Sequence, residues 1–273
     1  MSNASRLRLA ADASPGDWVV RGVGEFGSGV GALVPHGFEA YGRILHPALG
    51  SHDRPVSWAT VAAWSGGSVH PRVQFEAMAK PRAGAPERPA PFVSAPRIGN
   101  LPGPQLAALC QILAPHTSSA DRCWFCLWEG YGWVQGSPAM DRLLASGQPD
   151  PRPASRHMGR LHGLHLRARS HAPAPAGPRV RIPNRDYLLF EGPLEGASDM
   201  GDRSSEGFFI PQSPNLFWPD DHAWCVATEI DLDSTYVGAS AALIGDLLAD
   251  TRLEALPVEV TDLVWATSDD VNR

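Results

Sequence analysis

The sequence predicts an α+β protein: a largely antiparallel β-sheet with short helices packed on it, open to division into two lobes. Three observations predict this. Short apolar runs are punctuated by glycine and proline, as in hairpins. Strand-like and helix-like segments do not alternate regularly, which argues against a doubly wound parallel sheet. Hydrophobic residues make up 43% and charged residues 19% of 273 positions, enough to bury a core and too apolar for global disorder.

Residues 15–80 read as an N-terminal β-rich lobe. Residues 17–20, 30–34 and 41–45 are strand-like runs bounded by turn formers. Ser57 offers a cap for a short helix carrying Trp58, Val61 and Ala62 on one face. Residues 81–104 hold seven prolines in 24 positions, which forbids a continuous helix or central strand and predicts a linker or surface loop. Residues 105–273 read as an α+β lobe. Residues 105–113 place Leu106, Leu109, Cys110 and Leu113 at helical spacing, and 122–134 form a buried strand followed by an aromatic-rich turn. Ser137 and Pro138 start a short helix that Gly147 stops. Residues 148–183 form a basic loop, 187–191 and 224–233 are strands, and 240–249 is a helix.

Charge is divided unevenly beneath the net −6. Residues 151–185 carry eight arginines and no acid, whereas residues 186–273 carry three arginines and 18 acids. The basic loop is expected to dock on the acidic part of its own chain or of a second subunit. Its alternative use is to fork anionic ligands through arginines such as Arg167 and Arg169. It holds no Phe, Tyr or Trp for base stacking, and the acidic remainder opposes DNA, so nucleic acid is not expected as a partner. No apolar run reaches membrane-spanning length and no secretory pattern opens the chain, so a cytoplasmic protein without a membrane partner is expected. Lys80 is the one lysine, which sets aside Schiff-base chemistry.

Several motifs invite chemistry. Gly22-Val23-Gly24-Glu25-Phe26-Gly27 matches the dinucleotide fingerprint in letters, but Pro35 follows where a helix should run, so a glycine-rich hairpin is the plainer reading. Cys123 and Cys126 have the spacing of a redox or zinc pair. In a strand, however, they point to opposite faces, which predicts buried thiols. Glu229, Asp231 and Asp233 would share one face of the 224–233 strand and could hold a divalent cation. A solvent-facing strand edge explains the same alternation. Residues 208–224 form a proline-broken apolar run in which Phe209, Phe217, Trp218 and Trp224 could make an aromatic partner surface, although the core also claims such residues. Nucleophile-elbow, phosphate-loop and zincin motifs are absent from the sequence, which argues against the standard enzymes built on them.

Three stretches are similar to one family: residues 34–47 (Val-Pro-His-Gly-Phe-Glu-Ala-Tyr-Gly-Arg-Ile-Leu-His-Pro), residues 123–133, and residues 215–231 with their Asn-Leu-Phe-Trp-Pro-Asp-Asp-His-Ala-Trp start. They resemble conserved actinobacterial proteins of unknown function. The resemblance implies a bacterial, intracellular setting and carries no catalytic role.

Two functions follow as expectations. The first is a non-catalytic binding or protein-interaction protein, self-association as a dimer included, with an aromatic surface and an acidic C-terminal part. It needs no cofactor. The alternative is an enzyme that uses a divalent cation on Glu229, Asp231 and Asp233 and clamps an anionic, perhaps phosphorylated, substrate with the arginines.

Overall fold

β-branched and aromatic runs from both sides of the proline-rich segment meet in one sheet. The computed structural model describes residues 5–85, 88–134, 176–203, 208–265 and 267–273. In chain order the elements are β1 (Arg8–Leu9), α1 (Asp17–Gly22), β2 (Ala40–Leu45), β3 (Ala48–Leu49), β4 (Pro55–Val56), α2 (Trp58–Ser65), α3 (Phe75–Met78), α4 (Gly103–Leu113), β5 (Cys123–Trp128), β6 (Arg179–Ile182), β7 (Arg185–Gly192), β8 (Gly201–Arg203), β9 (Phe209–Pro211), β10 (Leu216–Pro219), β11 (Cys225–Thr228), β12 (Ser234–Ala239), α5 (Ala241–Ala249) and β13 (Ala255–Val258). The α+β architecture read from the sequence is the one observed. None of the helices among the described residues is long and apolar enough to cross a membrane.

The main sheet has nine strands in the order β1-β7-β5-β10-β11-β12-β2-β13, with β6 beside β7. Every pairing in it is antiparallel. β2 therefore lies between β12 and β13, and the sheet takes strands from both sides of residues 81–104. That segment is held by backbone bonds: Leu49 of the separate β3–β4 pair bridges to Ser94, and the Gly99 amide donates to the Leu232 carbonyl in the β11–β12 turn at 2.9 Å. Gly99 has φ +68°, and a Cβ there would sit 2.7 Å from the Ile230 carbonyl oxygen, so glycine alone fits.

Register sorts the side chains onto two faces, because successive residues of a strand alternate. Phe125 pairs with Phe217 and Phe190, and Val226 with Val237. These residues join Ile44 and the apolar faces of α4 and α5 in the larger core. Trp124 pairs with Trp218, and Ala227 with Tyr236. That opposite face packs beneath Val19, Val30, Leu33 and Val34 in a second core. A third cluster forms where β2 meets α2 and α3, around Leu45, Trp58, Val61, Phe75 and Met78. Ser57 caps α2 and Ser240 caps α5, their hydroxyls accepting from the amides of Thr60 and Leu243, as expected of N-cap serines.

Three expected strands take other forms. Residues 17–20 fall in α1, which a 3-10 turn at Ser14–Gly16 feeds directly and which keeps Val19 buried while Val20 is exposed. Its paired valines suggest a strand, but packing on the sheet overrides that propensity. Residues 30–34 bond to the 260–262 segment through only two amides, those of Val30 and Gly31, and then wind into a 3-10 turn. The 224–233 run is strand only to Thr228; the Leu232 amide then folds back to the Glu229 carbonyl. The helix expected after Ser137 and most of the 148–183 loop lie outside the described residues.

Candidate functional site

Period-two geometry puts Arg185 and Tyr187 of β7 on the same face as Leu189. They sit at the end of the sheet where β11 turns toward β12. The glycine-rich segment 22–31 passes over this end and brings in Gly24 and Phe26. Together with Leu33, Ile182, Leu216, Ala227 and Glu229, these residues line an apolar recess. The room left inside for a water-sized guest is about 20 Å³, close to the minimum that holds one water.

Arg185 forms the rim. Its Nε donates to Glu229 Oε1 at 2.8 Å and its Nη2 to Asp231 Oδ2 at 2.7 Å. Its guanidinium lies 5.7 Å from the centre of the Phe26 ring, within cation–π range. The Arg185 and Glu229 side chains are only 14% and 6% exposed, while Asp231 opens to solvent. One guanidinium thus ties together the β6–β7 turn, the β11–β12 turn and the glycine segment.

Tyr187 forms the floor. The residue is 2% exposed and lines the recess, and its hydroxyl has no hydrogen-bond partner among the described residues. Burial, helped by the nearby Glu229 carboxylate, pushes its pKa up, so the group stays an O–H donor. Asn215 is already committed. Its Oδ1 accepts from the Trp128 amide, and its Nδ2 donates to the Thr228 carbonyl and the Tyr131 hydroxyl. The Tyr131 O–H donates in turn to the Gly99 carbonyl at 3.0 Å. Burial raises the Tyr131 pKa to about 12.

Glu229 and Asp231 converge as the sequence suggested, but on Arg185 and not along a strand. Asp233 does not join them: it lies 3.8 Å from Arg43 Nη2 on the side of the third cluster. The expected line of three carboxylates is thus corrected, because the chain turns at 229–233. Among the described residues no group of three or more His, Cys, Asp or Glu side chains is placed to hold a metal ion.

The aromatic surface is corrected in the same way. Phe217 and Trp224 are buried in the α4–α5 core, with their rings edge to face at 5.7 Å. Trp218 is fully buried on the other face. The large apolar residues of that run that are exposed are Phe208, Phe209 and Ile210, and the last two lie on β9 of the small β8–β9 hairpin. Arg167 and Arg169 lie outside the described residues. The described arginines at the end of the basic segment meet carboxylates of their own chain: Arg179 meets Glu129, Arg181 meets Asp186, and Arg185 meets Glu229 and Asp231.

Cys123 lies in the α4-side core and Cys126 in the opposite one, as strand geometry requires. All four thiols are free and buried. Tyr187, Phe26 and Asn215 were not singled out from sequence. The available signal was the alternation Arg185-Asp186-Tyr187 beside a glycine-rich segment, and neither part alone points to a recess.

Fold and site define a class on their own terms: an antiparallel α+β sheet protein with an apolar recess under a glycine-rich flap. No protein-family model, curated protein or solved structure matches the chain with significance.

Proposed function

We propose that this is a cytoplasmic, non-catalytic binding protein whose recess takes a small, largely apolar ligand. One observation carries the reading: Tyr187 lines the recess, and its hydroxyl has no hydrogen-bond partner among the described residues. That donor is free for a guest's acceptor, and a hydrogen bond of this kind is worth about 0.5–1.5 kcal/mol. Apolar walls with a few convergent polar groups are the usual make-up of a small-molecule site. The carboxylates that would hold a cation in the enzyme reading, Glu229 and Asp231, already hold a guanidinium, which supports binding over metal-assisted chemistry.

The test is a fragment screen by ¹H–¹⁵N NMR on the intact protein. Neutral fragments should shift the amides of Gly24, Phe26, Arg185 and Glu229 together, and Tyr187→Phe should weaken the hits. A screen in which no fragment moves those four resonances at millimolar concentration would remove the reading.

A further inference from the structure

We infer that the recess selects a neutral aromatic molecule with a single hydrogen-bond acceptor, which enters by displacing Phe26. This inference rests on the binding reading above and adds to it the class of ligand and the moving part.

Size comes first. With Phe26 in place the recess has room for little more than one water, so an organic guest must displace a wall. Leu33, Tyr187, Leu216 and Ala227 belong to the second core and are buried. Phe26 differs from them. It is 47% exposed, it leans on Trp265 at 5.4 Å, and it rides on a segment with positive φ at Gly27 and Gly29. Rotation about its own side-chain torsions carries the ring outward without moving that backbone, which the Trp265 Nε1–H holds at the Gly27 carbonyl. The space its departure opens is that of one ring.

Ring chemistry comes second. When Phe26 leaves, the Arg185 guanidinium loses its aromatic partner at 5.7 Å. An aromatic guest restores that contact; an aliphatic one does not.

Charge comes third. Arg185 is shared by two carboxylates, so the rim nets −1 among the described residues, and its Nε and Nη2 donors are already used. An anion therefore meets an engaged guanidinium and a negative surplus. A cation meets Arg185 itself in the wall, while Glu229 already accepts from Arg185 and from the Asp231 amide. A charged guest would shed water without gaining a partner. The Tyr187 O–H remains for one acceptor, because Asn215 is fully engaged.

The experiment compares three probes with one ring and three charges: benzyl alcohol, benzoate and benzylamine. Each is titrated at pH 7 into the full chain and followed by NMR. Benzyl alcohol should bind at least about tenfold tighter than either ion. Phe26→Ala should tighten it, and Tyr187→Phe should weaken it roughly three- to tenfold. Melting curves confirm that both variants fold. If either ion binds as well as the alcohol, the charge selection fails while the recess reading stands. If Phe26→Ala weakens the alcohol, Phe26 is a contact and not a gate. If none of the three binds wild type or Phe26→Ala while other fragments shift the recess amides, the aromatic class is wrong. Silence from every fragment overturns both readings.

Discussion

His46 is wholly buried between β2 and β12. Its Nδ1 lies 2.8 Å from the Arg97 carbonyl and its Nε2 2.9 Å from Thr235 Oγ1, which lies 2.8 Å from Thr228 Oγ1. A carbonyl only accepts, so Nδ1 carries the proton, Nε2 accepts from Thr235, and Thr235 accepts from Thr228. Burial lowers the imidazole pKa to about 4; the Arg97 carbonyl pulls it part of the way back up, and the nearby Arg43 adds a smaller push down. The folded value lies below the unfolded 6.5, so between these pH values the unfolded chain binds more protons. The stabilisation is therefore complete above about pH 6.5 and is lost as pH falls toward 4, by about 3 kcal/mol in total. Urea unfolding at pH 7.5 and pH 4.5 should show that loss in wild type and much less of it in His46→Gln; equal losses would refute a neutral native imidazole. Asp221 and Asp269 are held down to about 2 by hydrogen bonds that outweigh burial, so their contribution disappears below pH 4, outside this window. Residue-scale fates of this kind were poorly legible in sequence. Trp218 and Phe209 are both aromatic and proline-flanked, yet register buries one and leaves the other at the surface.

At the element scale, α2 draws on a distant group. The amides of Trp58 and Ala59 donate to the two carboxylate oxygens of Glu254 at 2.6 and 2.7 Å, across 196 and 195 residues of sequence. A carboxylate there satisfies orphan donors and complements the helix dipole. Burial raises the Glu254 pKa although the two amides pull it down. Glu254→Ala should cost about 1–2 kcal/mol and show as a lower melting temperature, with Glu254→Gln retaining part of the loss-free behaviour. An unchanged melting temperature in Glu254→Ala would mean that Ser57 alone caps the helix. α2, α4 and α5 were legible because caps and apolar spacing agree within one short stretch. α1 and the 229–233 turn were not. Their form depends on partners far away in sequence: the sheet beneath α1, and Arg185 and Gly99 around the turn.

On the scale of the whole molecule, the sheet is a shared wall between two cores, and each core holds two thiols: Cys110 and Cys123 on one side, Cys126 and Cys225 on the other. Burial pushes Cys110 and Cys123 up to about 12 and raises Cys126 and Cys225 well above the ordinary thiol value. Only the thiolate is reactive. No thiol should react with an aromatic disulfide reagent at pH 8 in the native protein, and all four should react in denaturant. Under native conditions they should become labelled at one common rate, because losing the sheet opens both cores; faster labelling of one pair would show that the cores open separately. The placement of β2 has another outcome, felt while the chain is being made. Arg43 and its neighbour Ser234 are 191 residues apart, so at ribosomal speeds β2 emerges roughly 10–40 s before β12. Through that interval Tyr41, Ile44 and Leu45 sit on a strand with both edges bare, the condition that seeds aggregation between nascent chains. Recovery of the protein from a cell therefore depends on how well that one early strand is shielded until β12 and β13 follow.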